Sequence, residues 1–193
     1  EIVVDPGTYC YTSNPEARLL FRSTPMHNTI CVGGRDQQGS DYNNLFSAVQ
    51  YSFPTTFRYE GDSVFGEYEY REKDELVYHH GRKIAIENNT CIIEDKIWIA
   101  KEQPIVSYLH LAKDISATIH GKEIIIERKN GGKVIIRYIS ESIDDISIDK
   151  SFISPEYGVK YEGDVIRTSL QSHTDCIECY TIISIERDEI QGY

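Results

Sequence analysis

The stretch from Lys122 to Tyr138, KEIIIERKNGGKVIIRY, decides the fold. Two runs rich in Ile and Val flank Asn130, Gly131 and Gly132, residues that accept the positive φ angles of a tight turn between antiparallel strands. The segment therefore reads as a β-hairpin. Moving outward, VFGEYEYRE, RKIAIEN, CIIEDKIWIA, PIVSYLHLA, DISATIH, DISIDKSF, GDVIRTSL and IECYTIISIE repeat the theme, with Gly, Asn, Asp and Pro between them about every ten residues. From Val64 onward no segment keeps a helical period. The expectation is an all-β chain, an antiparallel β-sandwich of two packed sheets with no substantial helix.

A chain of 193 residues with 40% hydrophobic content can bury one sizeable core, so a single domain over residues 1–193 is expected. Its 20 Lys and Arg against 31 Asp and Glu give a formal net charge of −11. That field repels polyanions, which argues against nucleic acid and anionic membrane as partners. No run of about 18 apolar residues is present to span a bilayer. The opening EIVVDPGTYCY lacks the basic start and apolar middle of a signal peptide and reads as a strand entering a turn, with Glu1 as the cut edge of a larger protein. The compartment stays open between periplasm and cytoplasm.

Five cysteines, Cys10, Cys31, Cys91, Cys176 and Cys179, argue against a fully paired disulfide framework. Cys176 and Cys179 have C-x-x-C spacing, but on a strand positions i and i+3 face opposite sides and do not converge on one metal. Asn88-Asn89-Thr90 most simply marks a hairpin turn. The polar stretch Arg35 to Thr56 reads as a long excursion over the surface, where binding groups tend to sit. Tyr68 and Tyr70 share one face of a strand and read as packing, Trp98 reads as sandwich core, and His110, His120 and His173 have no recognisable partners.

VVDPGTYCYTSNPEARLLFRSTPMHNTICVGGRDQ, Val3 to Gln37, resembles the opening of the C-terminal β-domain of the heparinase II/III family, with its Asp-Pro-Gly-Thr-Tyr turn, Phe-Arg-Ser-Thr run, His-Asn-Thr and Asp-Gln. Weaker echoes follow in His80-x-Arg82, in CIIEDKI and in SPEYG at Ser154 to Gly158, so the resemblance covers nearly the whole chain. It implies that the chain is a fragment whose partner is a preceding helical toroid of the same parent, with the substrate cleft between the two. It implies further that the parent is a polysaccharide lyase, cleaving uronate-containing polysaccharides by β-elimination with toroid Asn, His and Tyr residues. Relatives of this fold hold a zinc through two histidines and an aspartate.

Elimination needs a base within reach of the proton α to the carboxylate and donors for the developing enolate. The resemblance makes His27 the candidate catalytic residue, with Asn28, Arg22 and Tyr9 as candidate substrate contacts. On residues alone, His27 reads as a structural histidine capping a strand, Arg18 and Arg22 equally suit pairing with surplus acids, and Tyr9, Tyr11 and Tyr42, which could stack on sugar faces, read first as packing. If zinc is bound, the resemblance points to His80 and Asp41, with His27, Asp36 and His79 as further candidates. A second reading keeps the fold and drops the chemistry: a non-catalytic carbohydrate-binding or structural module in bacterial polysaccharide assembly. A net charge of −11 suits a lightly charged uronate polymer or surface glycan better than dense sulfation.

Overall fold

The structure is a computed structural model and describes residues 1–128, 132–173 and 175–186. The chain opens with a short helix α1 (Pro15–Arg22) and a 3-10 turn (Thr24–Met26). Among the described residues fourteen strands follow: β1 (Ile30–Val32), β2 (Gln38–Asp41), β3 (Asn44–Gln50), β4 (Ser52–Glu60), β5 (Ser63–Glu72), β6 (Glu75–Glu87) and β7 (Thr90–Ile99), then β8 (Ile105–His110), β9 (Ala117–His120), β10 (Glu123–Glu127), β11 (Lys133–Ile139), β12 (Ile143–Glu156), β13 (Val159–Leu170) and β14 (Cys176–Glu186). Among the described residues no helix is long and apolar enough to cross a membrane.

All named pairings are antiparallel. One sheet has the order β1-β8-β13-β12, the other β4-β5-β6-β7-β14-β11-β10-β9, and β2-β3 form a separate ribbon. The expected hairpin is β10–β11, with Glu127 opposite Lys133; Asn130 and Gly131 of its turn lie outside the described residues. Asn88 (φ 54°) turns β6 into β7 as read from the sequence.

The sandwich forms because inward positions of both sheets are apolar. Ile30, Val32, Ile105, Leu109, Ile166 and Leu170 of the smaller sheet share one buried cluster with Ile97, Ile99, Ile124, Ile126, Ile136 and Ile177 of the larger. At about 25 cal/mol per Å² of apolar surface removed from water, such a cluster dominates the stabilisation. Tyr70 and Tyr78 stack at 4.8 Å within it, and Tyr68 meets Tyr78 edge-on, so the shared face of Tyr68 and Tyr70 is packing.

Two expectations are corrected. Trp98 is not core: it is 36% exposed, on the outer face of β7, where its ring stacks on His79 at 4.9 Å. The parity of the strand requires this, since Ile97 and Ile99 on either side of it point inward. The stretch Arg35 to Thr56 is not a loop, because it holds β2, β3 and the start of β4. These strands are largely exposed on both faces and so lack the alternation that marks a half-buried strand.

Ile97 is fully buried at the centre of the larger sheet, whereas Ile86 on β6 is mostly exposed. Replacing Ile97 with Ala is expected to cost about 2–5 kcal/mol, and Ile86→Ala no more than about 0.5 kcal/mol. Urea unfolding of the two variants checks the contrast.

Candidate functional site

The N-terminal segment laces across the smaller sheet. Val3 bridges to Leu111 and Gly7 to Ser154, while Val4 N–H donates to His110 O (3.0 Å) and Ser154 N–H to Pro6 O (2.7 Å). Within DPG, Asp5 Oδ1 accepts from Gly7 N–H at 2.9 Å, a side-chain turn that fixes the carboxylate. Gly7 has φ +79°, and a Cβ there would lie 2.2 Å from Ser154 O. Glycine is required by both angle and space.

The Arg-Ser-Thr and Asp-Gln motifs are cross-links around the next turn. Asn14 caps α1 by accepting from Ala17 N–H (3.0 Å), and Arg22 in the last turn donates to Leu45 O (2.6 Å) and Ser47 O (3.2 Å), holding the β2–β3 ribbon. Thr24 N–H donates to Asp36 Oδ1 (2.7 Å), and Gln37 N–H to Thr24 Oγ1 (2.8 Å). These bonds frame the 3-10 turn from which His27 emerges with extended backbone.

His27 and Asn28 then face opposite ways. His27 points out, and its Nδ1 lies 2.7 Å from Asp5 Oδ2, the two side chains being 40% and 58% exposed. A carboxylate only accepts, so Nδ1 carries a proton, and in the neutral ring Nε2 presents its lone pair. Among the described residues no hydrogen bond engages that Nε2. Asn28 points in. Its Nδ2 donates to Val4 O (3.0 Å), its Oδ1 accepts from His110 N–H (2.7 Å), and its own carbonyl accepts from Arg82 Nη1.

Arg82 belongs to a buried group on the core face of the larger sheet. Its Nε and Nη2 grip Asp95 Oδ1 and Oδ2 (2.6 and 3.0 Å), and His80 Nε2 meets Asp95 Oδ1 at 2.7 Å. Asp95 and His80 are almost wholly buried. Burial alone would raise the Asp95 carboxyl, but the Arg82 charge and the His80 hydrogen bond outweigh it and bring it down to about 2. Burial, helped by Arg82, holds His80 below the ordinary histidine range, so the ring is neutral and donates Nε2–H to Asp95. Its Nδ1 is buried without a partner.

The residues that the resemblance offers for zinc make other contacts here. His80 and Asp95 are spent on each other and on Arg82, whose fixed charge opposes a neighbouring cation; Asp36 caps the 3-10 turn, and His27 pairs with Asp5. Asp41 lies on β2, its side chain outside what the structure describes. Among the described residues no group of three or more His, Cys, Asp or Glu side chains is arranged for a metal.

Of the predicted site residues, the fold thus brings His27 and Asn28 together at one loop and places Arg22 behind it. Tyr9 (φ +60°) packs its ring against Phe21 at 5.8 Å, with the Lys160 ammonium 5.3 Å from the ring centre. Tyr11 stacks with Phe46 and Tyr157 on the surface. Sequence reasoning did not single out Asp5, Asp95 or His110. Asp5 was signalled by its Asp-Pro-Gly turn; the other two depend on strand register.

His80 and Asp95 both titrate lower in the folded chain than when unfolded, as does buried His110. At acid pH the unfolded chain therefore binds more protons, and the stabilisation, complete above the ordinary histidine value, is lost as pH falls. Urea midpoints are expected to decline as pH falls below about 6.5, the ordinary histidine value, and again from about 4 toward 2 as Asp95 protonates. His80→Gln, which cannot titrate, should shrink the first decline; an identical decline in the variant would contradict this account.

The fold has counterparts among solved structures. The chain is similar to the heparinase III BT4657 gene product (15% identity, TM-score 0.73), to a second heparinase III structure (16%, 0.72), and to heparan sulfate lyase HepC from Pedobacter heparinus (12%, 0.71). Each likeness covers 96% of this chain and 28% of the other, so the chain spans under a third of those proteins, and at such identity the match speaks for the fold. No curated protein matches the chain. The family model for the heparinase II/III-like C-terminal domain matches residues 1–186, and the chain belongs to that family.

Proposed function

We propose that this chain is the β-domain of a polysaccharide lyase that cleaves a uronate-containing polysaccharide by β-elimination. In this reading it lines one wall of a cleft whose other wall is a helical toroid of the same parent. The observation that carries the reading is the exposed Asp5–His27 pair: Asp5 holds Nδ1–H of a side chain that is 40% exposed, and among the described residues no hydrogen bond engages Nε2, which in the neutral ring has a lone pair to offer. A carboxylate behind an imidazole fixes its tautomer and stabilises the imidazolium. Such an Nε2 can accept a proton from a sugar carbon or oxygen, then return it to a leaving group. Asn28 and Arg22, bonded to backbone, serve this reading by holding the loop. A second charge-neutralising group and a second acid-base residue come from the toroid.

Two outcomes follow. Residues 1–193 alone should give no unsaturated uronate product, by absorbance, above a buffer control across a panel of uronate polysaccharides, because one positioned pair does not complete the reacting geometry. In the longest natural form of the protein that carries this chain, His27→Ala should lower turnover about tenfold or more, the scale of losing one positioned proton-transfer group. Because His27 is a surface residue, the thermal midpoint of the isolated domain should barely move. Intact turnover in that variant, or an unfolded domain, would favour the carbohydrate-binding or structural module instead.

A further inference from the structure

His110, the last residue of β8, is 1% exposed and lies beneath the Asp5–His27 pair. Its backbone O accepts from Val4 N–H (3.0 Å), and its N–H donates to Asn28 Oδ1 (2.7 Å). Val4 precedes Asp5 and Asn28 follows His27, so each member of the surface pair is one residue from a bond to His110. The ring adds a third tie. Nε2 lies 2.9 Å from the carbonyl of Pro25, an acceptor only, so Nε2 carries the proton. Ser151 Oγ lies 3.3 Å from Nδ1 and 3.7 Å from Met26 Sδ, closing the packing under the turn.

The backbone ties can be made by any residue at this place in β8, whereas the Pro25 bond requires the ring. It fixes the 3-10 turn Thr24–Met26, whose Thr24 carbonyl accepts from His27 N–H (3.1 Å), and so sets where His27 leaves the turn. We propose that His110 is a positioning residue, its Nε2–H holding the Pro25 carbonyl so that the His27 ring stays registered on Asp5 with Nε2 outward. The value of that register for catalysis rests on the lyase reading; the register itself does not.

Ring ¹⁵N chemical shifts of His27 in this chain report its tautomer without any turnover. Glutamine can place an amide N–H where Nε2 stands, asparagine falls short of Pro25, and leucine removes the donor. In His110→Leu and His110→Asn the fraction of His27 protonated on Nδ1 should fall by about half or more, while His110→Gln should restore it. A wild-type tautomer in folded His110→Asn or His110→Leu would overturn the proposal. Should His110→Leu not fold, the Asn and Gln variants decide; if none of the three folds, His110 is a core residue and the proposal fails. If the tautomer shifts as expected while His27→Ala leaves turnover intact, the positioning role stands and the lyase reading falls.

Discussion

The carboxylate of Asp95 lies on the core face of β7, in line with Ile97 and Ile99, where an unpaired charge would cost several kcal/mol. The constraint it imposes is strict, because both oxygens need partners within hydrogen-bond reach. Arg82, directly opposite on β6, supplies a two-pronged grip, and His80, two positions away on the same face, supplies a neutral donor. Once bound to Asp95, Arg82 has one nitrogen left, and it reaches the Asn28 carbonyl. A charge buried to satisfy one sheet thereby anchors the His-Asn loop carried by the other end of the chain.

The loop is held from both sheets. From the larger sheet comes Arg82; from the smaller come His110 and, through it, Val4. Asn28 is bonded through both polar atoms of its side chain and through its carbonyl, which makes it the rivet between the layers. The adjacent His27 is left at the surface because neighbouring residues in extended backbone point opposite ways. Turning Asn28 inward and His27 outward are therefore one structural decision. Held so at both neighbours, the imidazole loses little further freedom when it acts, which is what preorganised proton transfer requires.

The local motifs fall into two kinds. Asp-Pro-Gly, Asn14-Pro15 and Asn88-Asn89 act on nearest neighbours, through a side-chain turn, a helix cap and a hairpin. Thr24 with Asp36 and Gln37, and Arg22 with Leu45 and Ser47, act across a dozen or more residues by closing the turn and the ribbon. A net charge of −11 sits outside this arrangement, since the acids that matter, Asp5, Asp36 and Asp95, each have a specific donor.

Much of the fold was legible because apolar side chains alternating along a strand state which face is buried. The hairpin β10–β11, the order of strands from β5 onward and the surface position of one member of the His27–Asn28 pair follow from that periodicity. The same parity, applied to IIEDKIWI, also puts Asp95 inside and Trp98 outside, although the aromatic character of Trp98 suggested core. Strands β2 to β4 escaped because, exposed on both faces, they carry no period to read. Sequence by itself thus determined the all-β class, the turns and which side chains share a face, since these depend on neighbours along the chain. Which strand lies opposite which, and hence that Arg82 meets Asp95, that His110 reaches Pro25 and that His27 meets Asp5 rather than His80, was decided by tertiary structure alone: partners 13, 85 and 22 residues apart are brought together by sheet register and sandwich packing, whose energy comes from the whole core.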